Sequence, residues 1–178
     1  KEILKAKSQK TPYSLLMLDA DHFKNINDTY GHKIGDNVLI ELAAKCERAL
    51  RDKDIIARFG GEEFVIFLPD ITIAQAQKVA DRLRQSISSI VVYSDEGKPI
   101  QFTVSIGVTS SDISDDIDML IKTADDALYK AKETGRNKVE IFESSNLSDF
   151  VNQADTNKLV RDNTHPAFKE VNANIRLI

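Results

Sequence analysis

"RFGGEEFVIFLP", Arg58 to Pro69, decides the architecture. Ile55 to Phe59 and Phe64 to Leu68 flank Gly60 and Gly61, the pattern of two hairpin arms joined by a tight turn. Hairpin tips usually draw an Asn or Asp, and they do not need paired acids directly after the turn. Glu62 and Glu63 stand there nonetheless, opening the second arm. A demand other than the turn places them.

Upstream, Pro12 ends a first helical piece, and "YSLLMLD", Tyr13 to Asp19, is a short apolar run that reads as a buried strand. Val38, Leu39, Leu42, Ala43, Cys46 and Leu50 repeat at helical spacing behind Asp36, which predicts an amphipathic helix from Asp36 to about Leu50. Downstream, Pro69 closes the hairpin, and Ile73, Ala76, Val79, Ala80, Leu83, Ile87 and Ile90 predict a second long helix. Phe102, Val104 and Ile106 alternate within "IQFTVSIGVTS" as a strand, with "IVVYS", Ile90 to Ser94, as its candidate partner. Ile117, Leu120, Ile121, Ala124, Leu128 and Ala131 mark a third helix, ended by "TGR" at Thr134 to Arg136; Val139 to Phe142 is a last short strand.

This order predicts an α/β (α+β) fold of two layers, with helices packed on a mostly antiparallel five-stranded sheet and a split βαββαβ core. From Ser144 the periodicity dissolves into Asn- and Asp-rich sequence. Residues 1–143 are therefore read as one domain and 144–178 as a tail or linker, with a short helix near Leu159.

The 178 residues, 42% hydrophobic and 29% charged, suit one globular domain with a real core. A net charge of -4 argues against a dedicated surface for a nucleic-acid polymer. The single cysteine, Cys46, falls on a helix among apolar residues and reads as a small buried hydrophobe in a reducing compartment. No apolar run approaches the roughly 18 residues of a membrane span, so no membrane contact is expected. The localisation expected is cytoplasmic. The charged opening "KEILKAKSQK", without an initiator Met, fits one piece of a longer protein.

Asp19 ends the first strand, and Asp21 follows two residues later. If that strand lies beside the hairpin, Asp19 and Glu62 approach across neighbouring strands, and two close carboxylates repel unless a proton or a cation stands between them. A hard divalent ion answers that need, since Mg²⁺ is commonly held by one or two carboxylates plus substrate phosphates. Positive charge stands where a polyphosphate would require it: Lys24 after the strand, and Lys132 and Arg136 four apart at the end of the third helix. Amides at the start of the first helix after the strand add phosphate donors. These residues predict a metal-assisted site for a phosphorylated substrate, with the base unspecified.

Three blocks in order then resemble the GGDEF family of diguanylate cyclases: "GGEEF" at Gly60 to Phe64, "DADHFKNINDTYGHKIGD" at Asp19 to Asp36, and "ADDALYKAKETGRNKV" at Ala124 to Val139. The resemblance implies a fold like the palm of nucleotide cyclases and polymerases. It implies that Asp19, Glu62 and the carbonyl of Ala20 are metal ligands, that Glu63 is a second acid near the attacking hydroxyl, and that Mg²⁺, or Mn²⁺ in its place, binds as two ions per GTP half-site. Asn27 and Asp36 then read guanine, Phe23 lines the substrate site, Gly60 and Gly61 lie beside the ribose and α-phosphate, and Lys24, Lys132 and Arg136 surround the β- and γ-phosphates. Taken alone, Asp36 reads as a helix N-cap.

Two GTP would condense to cyclic di-GMP and two pyrophosphates across a transient head-to-head homodimer. "RDKD", Arg51 to Asp54, resembles the family's RxxD site for cyclic di-GMP as inhibitor. The family's usual opening segment is missing, so the domain is expected to be incomplete at its N-terminus, retaining only the end of the first helix in Lys1 to Lys10. A catalytically silent cyclic di-GMP receptor or GTP-binding regulatory module is the rival reading.

Overall fold

The computed structural model describes residues 2–147. The expected short helix near Leu159 lies outside them. In chain order the elements are α1 (Glu2–Gln9), β1 (Tyr13–Ala20), α2 (Phe23–Tyr30), α3 (His32–Ala49), β2 (Ile55–Gly60), β3 (Glu63–Pro69), α4 (Ile73–Ser88), β4 (Val92–Tyr93), β5 (Pro99–Ile100), β6 (Val104–Ser110), α5 (Ile117–Glu133) and β7 (Val139–Ile141). The main sheet runs β2-β3-β1-β6-β7, antiparallel except for the β6–β7 pair. Its first four strands have the split βαββαβ order that the sequence predicts.

Strand β1 is the centre, and every residue from Tyr13 to Ala20 is buried. Leu16 and Leu18 join the cluster containing Leu42 of α3 and Leu83 of α4, while Leu15 and Met17 pack with Ile121, Ala124 and Leu128 of α5. Alternate residues of a strand face opposite sides. Helices therefore cover both faces, and the molecule has three layers where two are expected from element order. The uninterrupted apolar run of β1 is the physical reason, since a strand covered on both sides has no polar face.

Two further expectations change. The helix predicted to start at Asp36 begins at His32, after a separate helix α2, with Gly31 between them at φ 84°. Asp36 thus lies inside α3 and is not its N-cap. The "IVVYS" run does not pair with β6: Val92 and Tyr93 pair with Ile100 and Pro99 in a separate two-stranded ribbon, because β6 already has β1 and β7 on its two edges.

Helix α4 starts with a reciprocal capping box between Thr72 and Gln75, and Asp116 caps α5 by accepting from the Asp118 N–H at 3.1 Å. These caps satisfy amides that the helices themselves leave unpaired.

Candidate active site

The β2–β3 turn and the end of β1 bring the acids together. Gly60 pairs with Glu63, and Gly61 takes φ 51°, a left-handed conformation that a residue without Cβ adopts without strain. The Arg58 Nε donates to the Gly61 carbonyl at 2.8 Å and braces the turn. Asp19 stands directly opposite Glu63 in the antiparallel register, while the Glu62 carbonyl accepts from the Ala20 N–H at 3.4 Å. Glu63, rather than Glu62, is the cross-strand partner of Asp19. Like charges so opposed destabilise a sheet.

The electrostatics carry that conflict. Burial raises the pKa of Asp19, with Glu62 and Asp21 adding to the effect and the Lys132 ammonium opposing it from 2.8 Å. Burial also raises Glu63, helped by Asp19 and Asp125. Lys132 belongs to the last turn of α5, so the helix end supplies a cation to the strand end. The paired acids attract positive charge.

Among the described residues no group of three or more His, Cys, Asp and Glu side chains converges in a metal-holding arrangement. Two carboxylates with the Ala20 backbone nevertheless fit a hard cation that keeps water and phosphate oxygens as its other ligands. The raised acids are the observation behind that fit, since a bound cation would relieve both.

A second group forms where α2 crosses α3. The Asn27 Oδ1 is buried and unpartnered in the structure, pressed on Gly35: a Cβ built there would lie 1.9 Å from it. With Oδ1 turned inward, the amide NH₂ is the outward polar group. Phe23 backs the same contact, at 3.2 Å from that Cβ position, and the exposed Asp36 follows directly in sequence. Gly35 is a close packing partner of Asn27 that sequence reasoning missed; a glycine amid "GHKIGD" was the available signal. Gly35→Ala is expected to push the Asn27 amide aside, because that end of a side chain moves more cheaply than backbone. If this face reads a guanine base, as the motif resemblance implies, nucleotide affinity should fall about tenfold with the melting temperature nearly unchanged, measured by titration calorimetry and thermal denaturation.

Lys24 is exposed and pairs with Asp28 one turn on. Arg136 is exposed in the turn after α5. Arg51 and Asp54 form a separate group: the Arg51 guanidinium donates to both Asp54 oxygens, and its Nη2 donates to the Pro69 carbonyl at 3.2 Å. Pro69 and Glu63 are opposite ends of β3, so this pair lies roughly 20 Å from the acids. Cys46 is buried, with its thiol pushed up to about 12, and is inert packing.

A family model described as "Diguanylate cyclase, GGDEF domain" matches residues 1–138. The chain belongs to the GGDEF family. It is 47% identical over 127 residues to diguanylate cyclase DgcM of Escherichia coli K12, covering 71% of this chain and 30% of that protein. It is 42% identical over 138 residues to diguanylate cyclase A of Treponema denticola, covering 77% and 37%. The chain thus spans about a third of the length of these relatives. Among solved structures, the GGDEF domain of DgcB from Caulobacter crescentus in complex with c-di-GMP superposes with a TM-score of 0.72 at 32% identity, covering 78% of this chain and 82% of that one. The active GGEEF domain of a diguanylate cyclase from Vibrio cholerae gives 0.71 at 34% identity, covering 79% and 88%. Among the described residues no helix of this GGDEF domain is long and apolar enough to cross a membrane.

Proposed function

We propose that this GGDEF domain is a diguanylate cyclase that condenses two GTP into cyclic di-GMP and two pyrophosphates, one GTP per subunit of a head-to-head dimer. The single observation that carries the reading is Asp19 opposite Glu63, a buried and a half-buried acid with raised pKa values beside the glycine turn. Homologues of 40–47% identity named diguanylate cyclase support the same activity.

In this reading the Asp36 carboxylate accepts from the guanine N1–H and exocyclic amino group, and the Asn27 amide NH₂ donates to the base; adenine lacks that donor pattern. Lys132, Arg136 and Lys24 hold the β- and γ-phosphates as charge-assisted donors. Gly60 and Gly61, where an added Cβ would meet nothing within 4 Å, leave open space for ribose and α-phosphate. Divided between two Mg²⁺ ions, Asp19, Glu62, Glu63 and the Ala20 carbonyl would hold the metal, which would supply Lewis-acid charge at the phosphates. Glu63, the acid at the start of the second hairpin arm, takes up the proton released by the 3'-hydroxyl. A lone subunit carries one α-phosphate and one hydroxyl that cannot reach each other.

Arg51 and Asp54 bind the product in this account. Their distance from the acids means that cyclic di-GMP there does not displace GTP; it inhibits by holding subunits apart. Arg51→Ala is expected to relieve inhibition by added cyclic di-GMP at least about tenfold, with the initial rate retained. An unchanged inhibition constant would refute the assignment.

Mass spectrometry after incubation with GTP and Mg²⁺ tests the reading. It predicts cyclic di-GMP with two pyrophosphates per product from GTP, and no cyclic product from ATP. Folded protein that makes none from GTP overturns it.

A further inference from the structure

One turn stands between the base-bearing end of α5 and β7, and it is held in an unfavourable path. Gly135, Arg136 and Asn137 have φ of 118°, 60° and 46°, two of them non-glycine residues in left-handed conformations. Such residues persist only where surrounding structure fixes them.

Asn137 is gripped from two sides. Its backbone N–H donates to the Asp21 Oδ2 at 3.0 Å, and its side-chain Oδ1 accepts from the Arg84 Nη1 at 2.8 Å. Asp21 is itself buried and fixed, accepting from the Thr103 Oγ1 at 2.6 Å and the Ser105 Oγ at 2.7 Å. Arg84, on α4, is oriented by its Nε donating to the Asp81 Oδ1 at 2.9 Å. The clamp therefore ties α4, β6 and the end of β1 to one residue of an exposed turn.

Its neighbours give the clamp its consequence. Asp21 stands two residues after Asp19, and Asn137 directly follows Arg136. The strand end that presents the acid thus also anchors the turn that presents the guanidinium. We infer that Asp21 and Arg84 are positioning residues: by clamping Asn137 they fix the Gly135–Asn137 turn, and so set where Arg136 meets the triphosphate of the bound nucleotide. This rests on the proposed reading of Arg136 as a phosphate contact.

The test uses the whole chain with Mg²⁺, a non-hydrolysable GTP analogue and GMP, in titration calorimetry. Arg84 touches neither the acids nor the guanine-reading group, so Arg84→Ala loosens the turn alone. It is expected to weaken the GTP analogue about tenfold and leave GMP, which lacks the distal phosphates, unchanged. In an Arg136→Ala background the added Arg84→Ala should cost nothing more, because the two changes remove one interaction. Equal losses for GTP analogue and GMP, full additivity with Arg136→Ala, or no loss in Arg84→Ala overturns the clamp while leaving the cyclase reading intact. A wild-type protein that binds a GTP analogue no better than an ATP analogue overturns the site reading itself, and the clamp's role with it.

Discussion

Asp19→Asn is expected to lower cyclic di-GMP formation by about a thousandfold or more while the protein stays folded. The side chain is 7% exposed, faces Glu63 across the sheet and receives the Lys132 ammonium at 2.8 Å. Removing its charge removes a buried anionic ligand from any cation at this strand end. It also relieves repulsion from Glu62 and Asp21, which offsets the lost ion pair, so thermal melting should change little. Steady-state product assays paired with melting curves check both halves. Near-normal turnover in the variant would contradict the metal assignment.

Gly107→Ala should have the largest effect on the fold. Gly107 is the point at which α5 lies on β6: an added Cβ would come within 2.1 Å of the Ala124 carbonyl oxygen and 2.3 Å of the Leu128 nitrogen. Both are helix backbone, so a whole helix must retreat from the sheet. A cost of about 3 kcal/mol is expected, seen as a large fall in the midpoint of urea unfolding. Because α5 carries Lys132, activity should fall as well. Gly60→Ala is the contrast, with open space around the new methyl and no positive φ, and should melt close to wild type.

The raised acids also set a pH dependence of stability in metal-free protein. For Glu63 the folded pKa lies above the ordinary glutamate value of 4.5, so the folded state holds the proton more tightly than the unfolded chain. Stability is then lost as pH rises from 4.5 through the raised value, and the penalty is complete above it. Glu63→Gln removes that penalty. It is expected to melt above wild type at pH 7, with the advantage fading below pH 4.5, measured in the presence of a chelator. An advantage that grew towards low pH would contradict the assignment.

Much of this was legible in the sequence because hydrophobic period reports on burial. The hairpin, α4 and α5 followed from spacing alone, and the three motif blocks carried the family. The third layer was written in "YSLLMLD", whose unbroken apolar run marks a strand covered on both faces, yet element order alone suggested two layers. Helix α2 was obscure for a physical reason: only Phe23 and Ile26 of its eight residues are buried, too few to show a period. The opposition of Asp19 to Glu63, and not to Glu62, depends on a register that local sequence does not state. The Asp21 clamp joins residues 84 and 116 positions apart, and no local pattern announces such pairs.

The central claim is that two half-sites must meet. The most direct measurement is the initial rate of cyclic di-GMP formation from saturating GTP and Mg²⁺ across a wide range of protein concentration. The account predicts a rate that rises more steeply than linearly, approaching second order when subunits are dilute. A rate strictly proportional to protein concentration down to the lowest measurable values, with the protein monomeric throughout, would contradict it.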